Sequence, residues 1–311
     1  MSVKLLPKPL AAQSRIAIIS PAGMVKAADL VSTLDLIRDH GFEPVLGAHA
    51  LGEFDNGYKY SGTIQERLDD LNWALNDESI HAIWTTRGGY GCQHLLRGIK
   101  LNEFRKHPKW YIGYSDNTAI QSYLANHQCY SINGQTIKTS SFKVDPSSYS
   151  LIFDILHGKK PNYSVQPHEL NKKGIVRGEL VGGNLALVYA LLGSPYSFDF
   201  KNKILFLEEI GEDYYALDRM LTSLDLAGVF ASIKGLVIGG MINMGKATQN
   251  DHYEASYDPF SYQLIAQRLE SYDFPTLFGF PNGHIYDNRP LIIGASVTLS
   301  VDSDCKLDFN S

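Results

Sequence analysis

Cysteine is scarce: the 311 residues contain three, Cys92, Cys129 and Cys305. An odd number without C-x-x-C spacing excludes a disulfide framework and a thiolate zinc site, and it fits a reducing compartment. Long apolar runs are missing as well. The longest, at residues 185–192 and 236–242, fall well short of the roughly 20 residues that a membrane helix needs. Near the start, Lys4, Pro7, Lys8 and Pro9 interrupt the leucines before a stretch of signal-peptide length can form. The expected location is therefore the cytoplasm, with no membrane partner. Basic runs are no longer than short pairs such as Lys159-Lys160 and Lys172-Lys173, and the net charge is -5. Phosphate neutralisation needs a concentrated cationic surface, so a nucleic-acid partner is excluded too. No H-E-x-x-H, calcium loop or dinucleotide fingerprint occurs, so neither a metal nor a nucleotide cofactor is expected.

What is present is an ordinary globular composition, 44% hydrophobic and 20% charged, on a chain long enough for two domains. RIAIIS from Arg15 reads as a buried strand. SPAG follows as a turn, and Ala27–His40 as a helix that Gly41 stops. Thr63 and Glu66 make a capping-box pair ahead of Ile64, Leu68, Leu71 and Leu75, which predicts a helix to about Asn76. Ile80–Thr85 is a strand pattern, RGGYG a glycine turn, Gln93–Ile99 a short helix and Trp110–Gly113 a further strand. Strands alternating with helices predict an α/β fold, a mainly parallel N-terminal α/β sandwich. Around residues 158–174 the periodicity dissolves into prolines, lysines and polar residues, which places a domain boundary at 160/161. Residues 1–160 then form the first domain and 161–311 the second. In the second, GGNLALVYALLG turns into an apolar helix, Lys203–Leu207 is a strand, Tyr214–Leu226 a helix and 233–242 an apolar run. Residues 291–307 alternate as antiparallel strands, so this domain is mixed α/β and rich in strands.

The stretch WYIGYSDNTAI at 110–120 has the layout of a nucleophile elbow: a strand, a sharp turn at Ser115, then a helix with Ile120 and Leu124 on one face. Such a turn lifts the hydroxyl out of the sheet, and the following amides can stabilise a tetrahedral oxyanion. Ser115 is therefore a candidate nucleophile, although a serine at a helix start also serves as an N-cap. Asn117 occupies the place where the usual G-x-S-x-G elbow has its second glycine. A serine nucleophile needs a base and an orienting acid. His284, in the turn-rich PNGHIYDNRP loop, is the best-placed histidine. Glu208 and Glu209 end the strand ILFL, and periodicity does not choose between them. RGGYG at 87–91 follows a strand, so its amides suit an anion, or it is simply a structural turn.

SPAG, TRGGYG at 86–91, GYSD at 113–116, GGNL at 182–185, LEEIGE at 207–212 and GH at 283–284, in this order and spacing, resemble the LD-carboxypeptidase family of serine peptidases, the muramoyltetrapeptide carboxypeptidases. The resemblance spans nearly the whole chain. It implies a Ser-His-Glu triad split between the domains, carried onto Ser115, His284 and Glu208, with Glu209 as fallback. It also implies an oxyanion hole from the backbone amides of Gly89 and Asp116, no cofactor, and a homodimer. The implied reaction removes the terminal D-alanine from a muropeptide tetrapeptide in peptidoglycan recycling. A carboxypeptidase must bind a free carboxylate, and Arg87 suits that role or braces its turn. The stretch YSINGQTIKTSSF at 130–142 departs from the family's pattern.

Three other functions fit the same residues. One is a microcin-C-immunity-like peptidase that cleaves a peptidyl-nucleotide; an aromatic stacking on a base would favour it, with Trp84, Tyr90 and Tyr286 near the motifs. Another is a non-catalytic muropeptide-binding protein. The last is an esterase-type α/β hydrolase, which also runs Ser, acid, His along the chain.

Overall fold

The computed structural model describes residues 4–138, 144–245 and 257–309. Six strands form a first sheet in the order Leu291–Ile293, Ser131–Asn133, Trp110–Gly113, Ile80–Thr85, Arg15–Ile19, Glu43–Leu46. All neighbours are parallel except the first pair, where Leu291 faces Asn133 antiparallel. The first sheet thus takes an edge strand from late in the chain. The parallel strands are covered on both faces, as such strands must be. Ile16 and Ile18 enter one core, while Ala17 and Ile19 enter the other with Leu71, Leu75, Tyr111 and Leu124.

Seven strands form the second sheet. Thr276–Leu277, Gly235–Ile242, Ile204–Ile210 and Gly174–Asn184 are parallel, and Ser296–Val301, Cys305–Asp308 and Asn162–Val165 continue it antiparallel. The α/β class and the strand-rich C-terminal part agree with the sequence pattern. One apolar core runs through both sheets and joins Trp84 and Ile112 of the first to Leu180, Phe206 and Ile238 of the second.

Local departures have identifiable causes. The helix expected over Ala27–His40 is a 3-10 turn, Ala27–Asp29, followed by an α-helix, Val31–Asp39. The Asp29 carboxylate turns back to accept from the Lys26 N–H at 3.0 Å and so closes the first turn separately. The short helix expected over Gln93–Ile99 is likewise 3-10, at Cys92–Gly98, ahead of the strand Trp110–Gly113. In the helix Ile64–Asn76 the capping box forms, with Thr63 N–H donating to Glu66 Oε2 at 2.8 Å. Its buried face is displaced from the expected stripe. Ile64 is half exposed, whereas Arg67 and Asp70 are buried beside Leu71 and Leu75. Both charged groups are satisfied: Arg67 donates to the carbonyls of Pro21, Gly62 and Gly91, and Asp70 accepts from His49. Of the stretch that departs from the family pattern, residues 139–142 lie outside the described residues. Among the described residues no helix is long and apolar enough to cross a membrane.

Candidate active site

The candidate site lies at the C-terminal ends of parallel strands of both sheets, the position where open α/β sheets bind ligands. The strand Trp110–Gly113 ends in the 3-10 turn Ser115–Asn117, which runs into the helix Thr118–Asn126. Ser115 holds φ at +62°. A residue with a Cβ occupies this left-handed region only at a cost, of order 1–3 kcal/mol, and only where its surroundings enforce it. The enforcement is visible. A Cβ on Gly113 would lie 2.5 Å from Thr85 Oγ1 and 2.8 Å from Asn117 Cγ. Asn117, standing in the place of the usual second glycine, is fully buried. It accepts from the Tyr111 hydroxyl at 2.6 Å and donates to the Tyr114 carbonyl at 3.0 Å, so its side chain ties the turn to the strand.

The glycine loop packs directly on this turn. A Cβ on Gly88 would stand 2.8 Å from Ser115 Cβ, 3.0 Å from its Oγ and 3.4 Å from the Asp116 nitrogen. Only a glycine lets the backbone approach so closely. Gly89, with φ +106°, follows Gly88 in the same loop, and Asp116 follows Ser115 in the 3-10 turn. The Asp116 carboxylate pins the loop from below, accepting from the Cys92 N–H at 2.8 Å. Burial pushes its pKa up to about 6, against the pull of the Cys92 hydrogen bond and the Arg67 charge.

The second sheet brings the acid and the imidazole. Both glutamates lie within the strand Ile204–Ile210 rather than past its end, and both are buried. Glu208 Oε2 is 2.8 Å from His284 Nδ1, with 1% of the acid's side chain and 11% of the imidazole exposed. A carboxylate only accepts, so Nδ1 carries the hydrogen and Nε2 is left to take a proton. Burial alone lowers the imidazole pKa; the charge and hydrogen bond of Glu208, with Glu209 behind it, outweigh burial and hold it above its ordinary value. The acid approaches this closely because Gly283 has no side chain: a Cβ there would meet Glu208 Oε2 at 2.8 Å. Glu209 faces other groups. Its Oε1 accepts from Asn184 Nδ2 at 2.9 Å and Ile210 N–H at 2.8 Å, and its Oε2 from Ala186 N–H at 2.7 Å. Burial and then the Glu208 charge push its pKa up to about 7 against those three donors.

The two halves meet at the serine. The Tyr114 ring, one residue before Ser115, lies 4.8 Å from the His284 ring, and the Asn184 N–H donates to Thr118 Oγ1 at 3.0 Å. Among the described residues the Ser115 hydroxyl makes no hydrogen bond, so contact with Nε2 is not closed; such bonds often tighten only around substrate. Arg87 is half-buried and donates to the Met24 carbonyl at 3.2 Å, which braces the SPAG turn with part of its guanidinium. Of the aromatics near the motifs, Trp84 is core and donates to the Gln135 carbonyl, while Tyr90 and Tyr286 are each 45% exposed. Sequence reasoning missed Arg67 and Tyr58. Arg67 carried a signal, since it stands three residues after Ile64 and four before Leu71, on the apolar stripe of its helix. Tyr58 carried none.

Glu78, Glu103 and His107 bring ligand atoms within 4.8 Å of one another. They precede the strands Ile80–Thr85 and Trp110–Gly113, at the end away from the site, and Glu103 is already paired with Lys106 at 2.8 Å.

Comparison with known proteins bears on the whole chain. Residues 16–134 match the LD-carboxypeptidase N-terminal domain and residues 177–299 the LD-carboxypeptidase C-terminal domain. A putative carboxypeptidase of Synechocystis is 30% identical over 96% of this chain and 95% of its own length. The murein tetrapeptide carboxypeptidase of Pseudomonas aeruginosa is 29% identical over 92% of each chain. The structure of the microcin C7 self-immunity protein MccF in complex with glutamyl sulfamoyl guanosine shares the fold, with a TM-score of 0.84 over 99% of both chains at 22% identity. With both of its domains matched in order, the chain belongs to the LD-carboxypeptidase family.

Proposed function

We propose that the protein is a serine LD-carboxypeptidase that removes the terminal D-alanine from muropeptide tetrapeptides. The observation that carries this reading is the buried Glu208–His284 pair, 2.8 Å apart, beside a serine held at φ +62°. In this reading Ser115 Oγ attacks the scissile carbonyl while His284 Nε2 takes its proton. Glu208 holds the imidazole in the required tautomer and stabilises its charge. The backbone N–H groups of Gly89 and Asp116 receive the oxyanion. The imidazolium then protonates the departing D-alanine amine, and water hydrolyses the acyl-serine by the same route in reverse. The name of the Pseudomonas relative supports the choice of substrate.

The test is mass spectrometry of a disaccharide tetrapeptide incubated with the protein. Loss of one D-alanine is expected, falling by about four orders of magnitude or more in Ser115→Ala. An unchanged tetrapeptide, or equal release by the variant, overturns the reading.

One observation favours a second substrate: Tyr90, 45% exposed on the glycine loop, offers an aromatic surface to a nucleobase. MccF, of the same fold, has been seen with glutamyl sulfamoyl guanosine. Cleavage of that compound without release of D-alanine would establish the peptidyl-nucleotide reading instead.

A further inference from the structure

Resting on the carboxypeptidase reading, we infer that the Tyr58 hydroxyl and the Arg87 guanidinium together bind the free carboxylate of the peptide's terminal residue, which makes Tyr58 a specificity residue of the site.

The two groups converge on one point of the glycine loop. A Cβ on Gly89 would lie 2.0 Å from the Tyr58 hydroxyl and 3.6 Å from Arg87 Nη2. A Cβ on Gly23, across the loop, would lie 2.9 Å from the same hydroxyl and 3.1 Å from Arg87 Nε. A neutral donor and a cationic donor therefore stand side by side over Gly89. Arg87 spends one N–H on the Met24 carbonyl, and among the described residues the Tyr58 hydroxyl has no hydrogen-bond partner. Both side chains are only half-buried, so a ligand reaches them. A carboxylate accepts from a guanidinium and a phenol at once, and bonds to a charged acceptor are the strong ones.

The spacing suits a carboxypeptidase. Gly88 lies against Ser115 Oγ and Gly89 against the clamp, and consecutive Cα atoms are about 3.8 Å apart. The serine and the clamp therefore border adjacent residues of one loop, and in a carboxypeptidase substrate the scissile carbonyl and the terminal carboxylate likewise belong to adjacent residues.

Tyr58 is also held in place before any ligand arrives. Its ring meets Tyr60 edge-on at 4.9 Å and Tyr90 edge-on at 6.0 Å. Tyr60 is buried under the Arg67 guanidinium, 4.9 Å from the ring centroid. Arg67 in turn grips the carbonyls of Pro21, Gly62 and Gly91, one on the SPAG turn, one just after Tyr58, which lies between the paired strands Phe54–Asp55 and Lys59–Tyr60, and one on the glycine loop. The three segments that frame the clamp are thus fastened by one buried cation, which reduces the ordering cost of binding.

Calorimetry tests this in Ser115→Ala protein, which holds substrate without turnover, using the tetrapeptide as free acid and as C-terminal carboxamide. The free acid is expected to bind more tightly than the amide. Adding Tyr58→Phe is expected to weaken the acid about tenfold while moving the amide less than about twofold. Equal binding of acid and amide, equal weakening of both, no weakening of the acid, or binding of neither overturns the clamp. D-alanine release by the unsubstituted protein separates the remaining cases. Release without acid preference sinks only the clamp, and acid preference without release sinks only the hydrolytic reading.

Discussion

The two faces of the strand Ile204–Ile210 carry adjacent carboxylates into opposite circumstances. Glu208 and Glu209 are equally buried, yet Glu208 reaches one imidazole and keeps Oε1 without a partner among the described residues. Glu209 commits both oxygens to three donors that belong to the strand itself and to the start of the helix Leu185–Ala190. A buried charge is tolerated only when paired. One acid is therefore paired with an imidazole, a group able to gain and lose a proton near neutral pH, and the other with amide groups that are not. Burial says nothing about which is functional; the partner decides.

The sharpest way to break the comparison is to neutralise each acid in turn. Glu208→Gln keeps shape and volume but offers Nδ1 an amide in place of a carboxylate, so the imidazole loses its fixed tautomer and its stabilising charge. D-alanine release should fall by about 10³–10⁴-fold in kcat, as when an orienting acid is amidated elsewhere, with thermal unfolding little changed. Glu209→Gln should retain most of the activity. Steady-state kinetics of the two variants check this, and a Glu209→Gln protein as inactive as Glu208→Gln would exchange the two roles.

Residue pattern marked this pair without choosing, and only the family resemblance favoured Glu208, for a physical reason. Period-two alternation assigns neighbouring residues to opposite faces, but here both faces are interior, and the register against Gly235–Ile242 shifts between Leu207 and Glu209. Motif order brought Ser115, His284 and the glycine loop into view because glycines and sharp turns leave local marks: Gly88, Gly113 and Gly283 each stand where a Cβ would strike a site residue. Long-range pairings leave no such mark. Nothing in LII at 291–293 says that it completes the first sheet beside Ser131–Asn133, and nothing in GYKY says that Tyr58 will stand over Gly89. The Ala27–His40 helix was legible as helical, but the Asp29 side chain that divides it was not.

The stability of the Glu209 side sharpens the comparison further. A glutamine cannot accept with both terminal atoms, so at least one of the donors at Ile210, Asn184 and Ala186 is left unpaired in the interior, at a cost of about 1–3 kcal/mol. The deficit should depend on pH. The folded protein holds the Glu209 proton to about pH 7, against 4.5 for an ordinary glutamate. The stabilisation linked to that proton is complete below pH 4.5 and is lost as pH rises through 7, on the order of 3 kcal/mol in all. Denaturant melts of wild type and Glu209→Gln should therefore differ most below pH 4.5 and converge above pH 7. A gap that widens with pH would mean that the three donors hold the charged form instead.

The smallest effect concerns the reaction's own pH profile. In the proposed mechanism His284 is a base, which requires it to be neutral, and its pKa is held above the ordinary 6.5, so kcat/KM should rise with pH along a limb displaced above that value. Glu209 contributes to the displacement through space alone, whereas Glu208 contributes by charge and by a hydrogen bond. Removing the Glu209 charge should therefore move the limb to lower pH, and removing the Glu208 charge should move the residual activity further in the same direction. Asp116, with its pKa at about 6, titrates in the same range, but neither substitution touches it, so it does not contribute to the difference between the profiles. A limb that stays in place in both variants would mean that His284 is not the group whose deprotonation switches the reaction on.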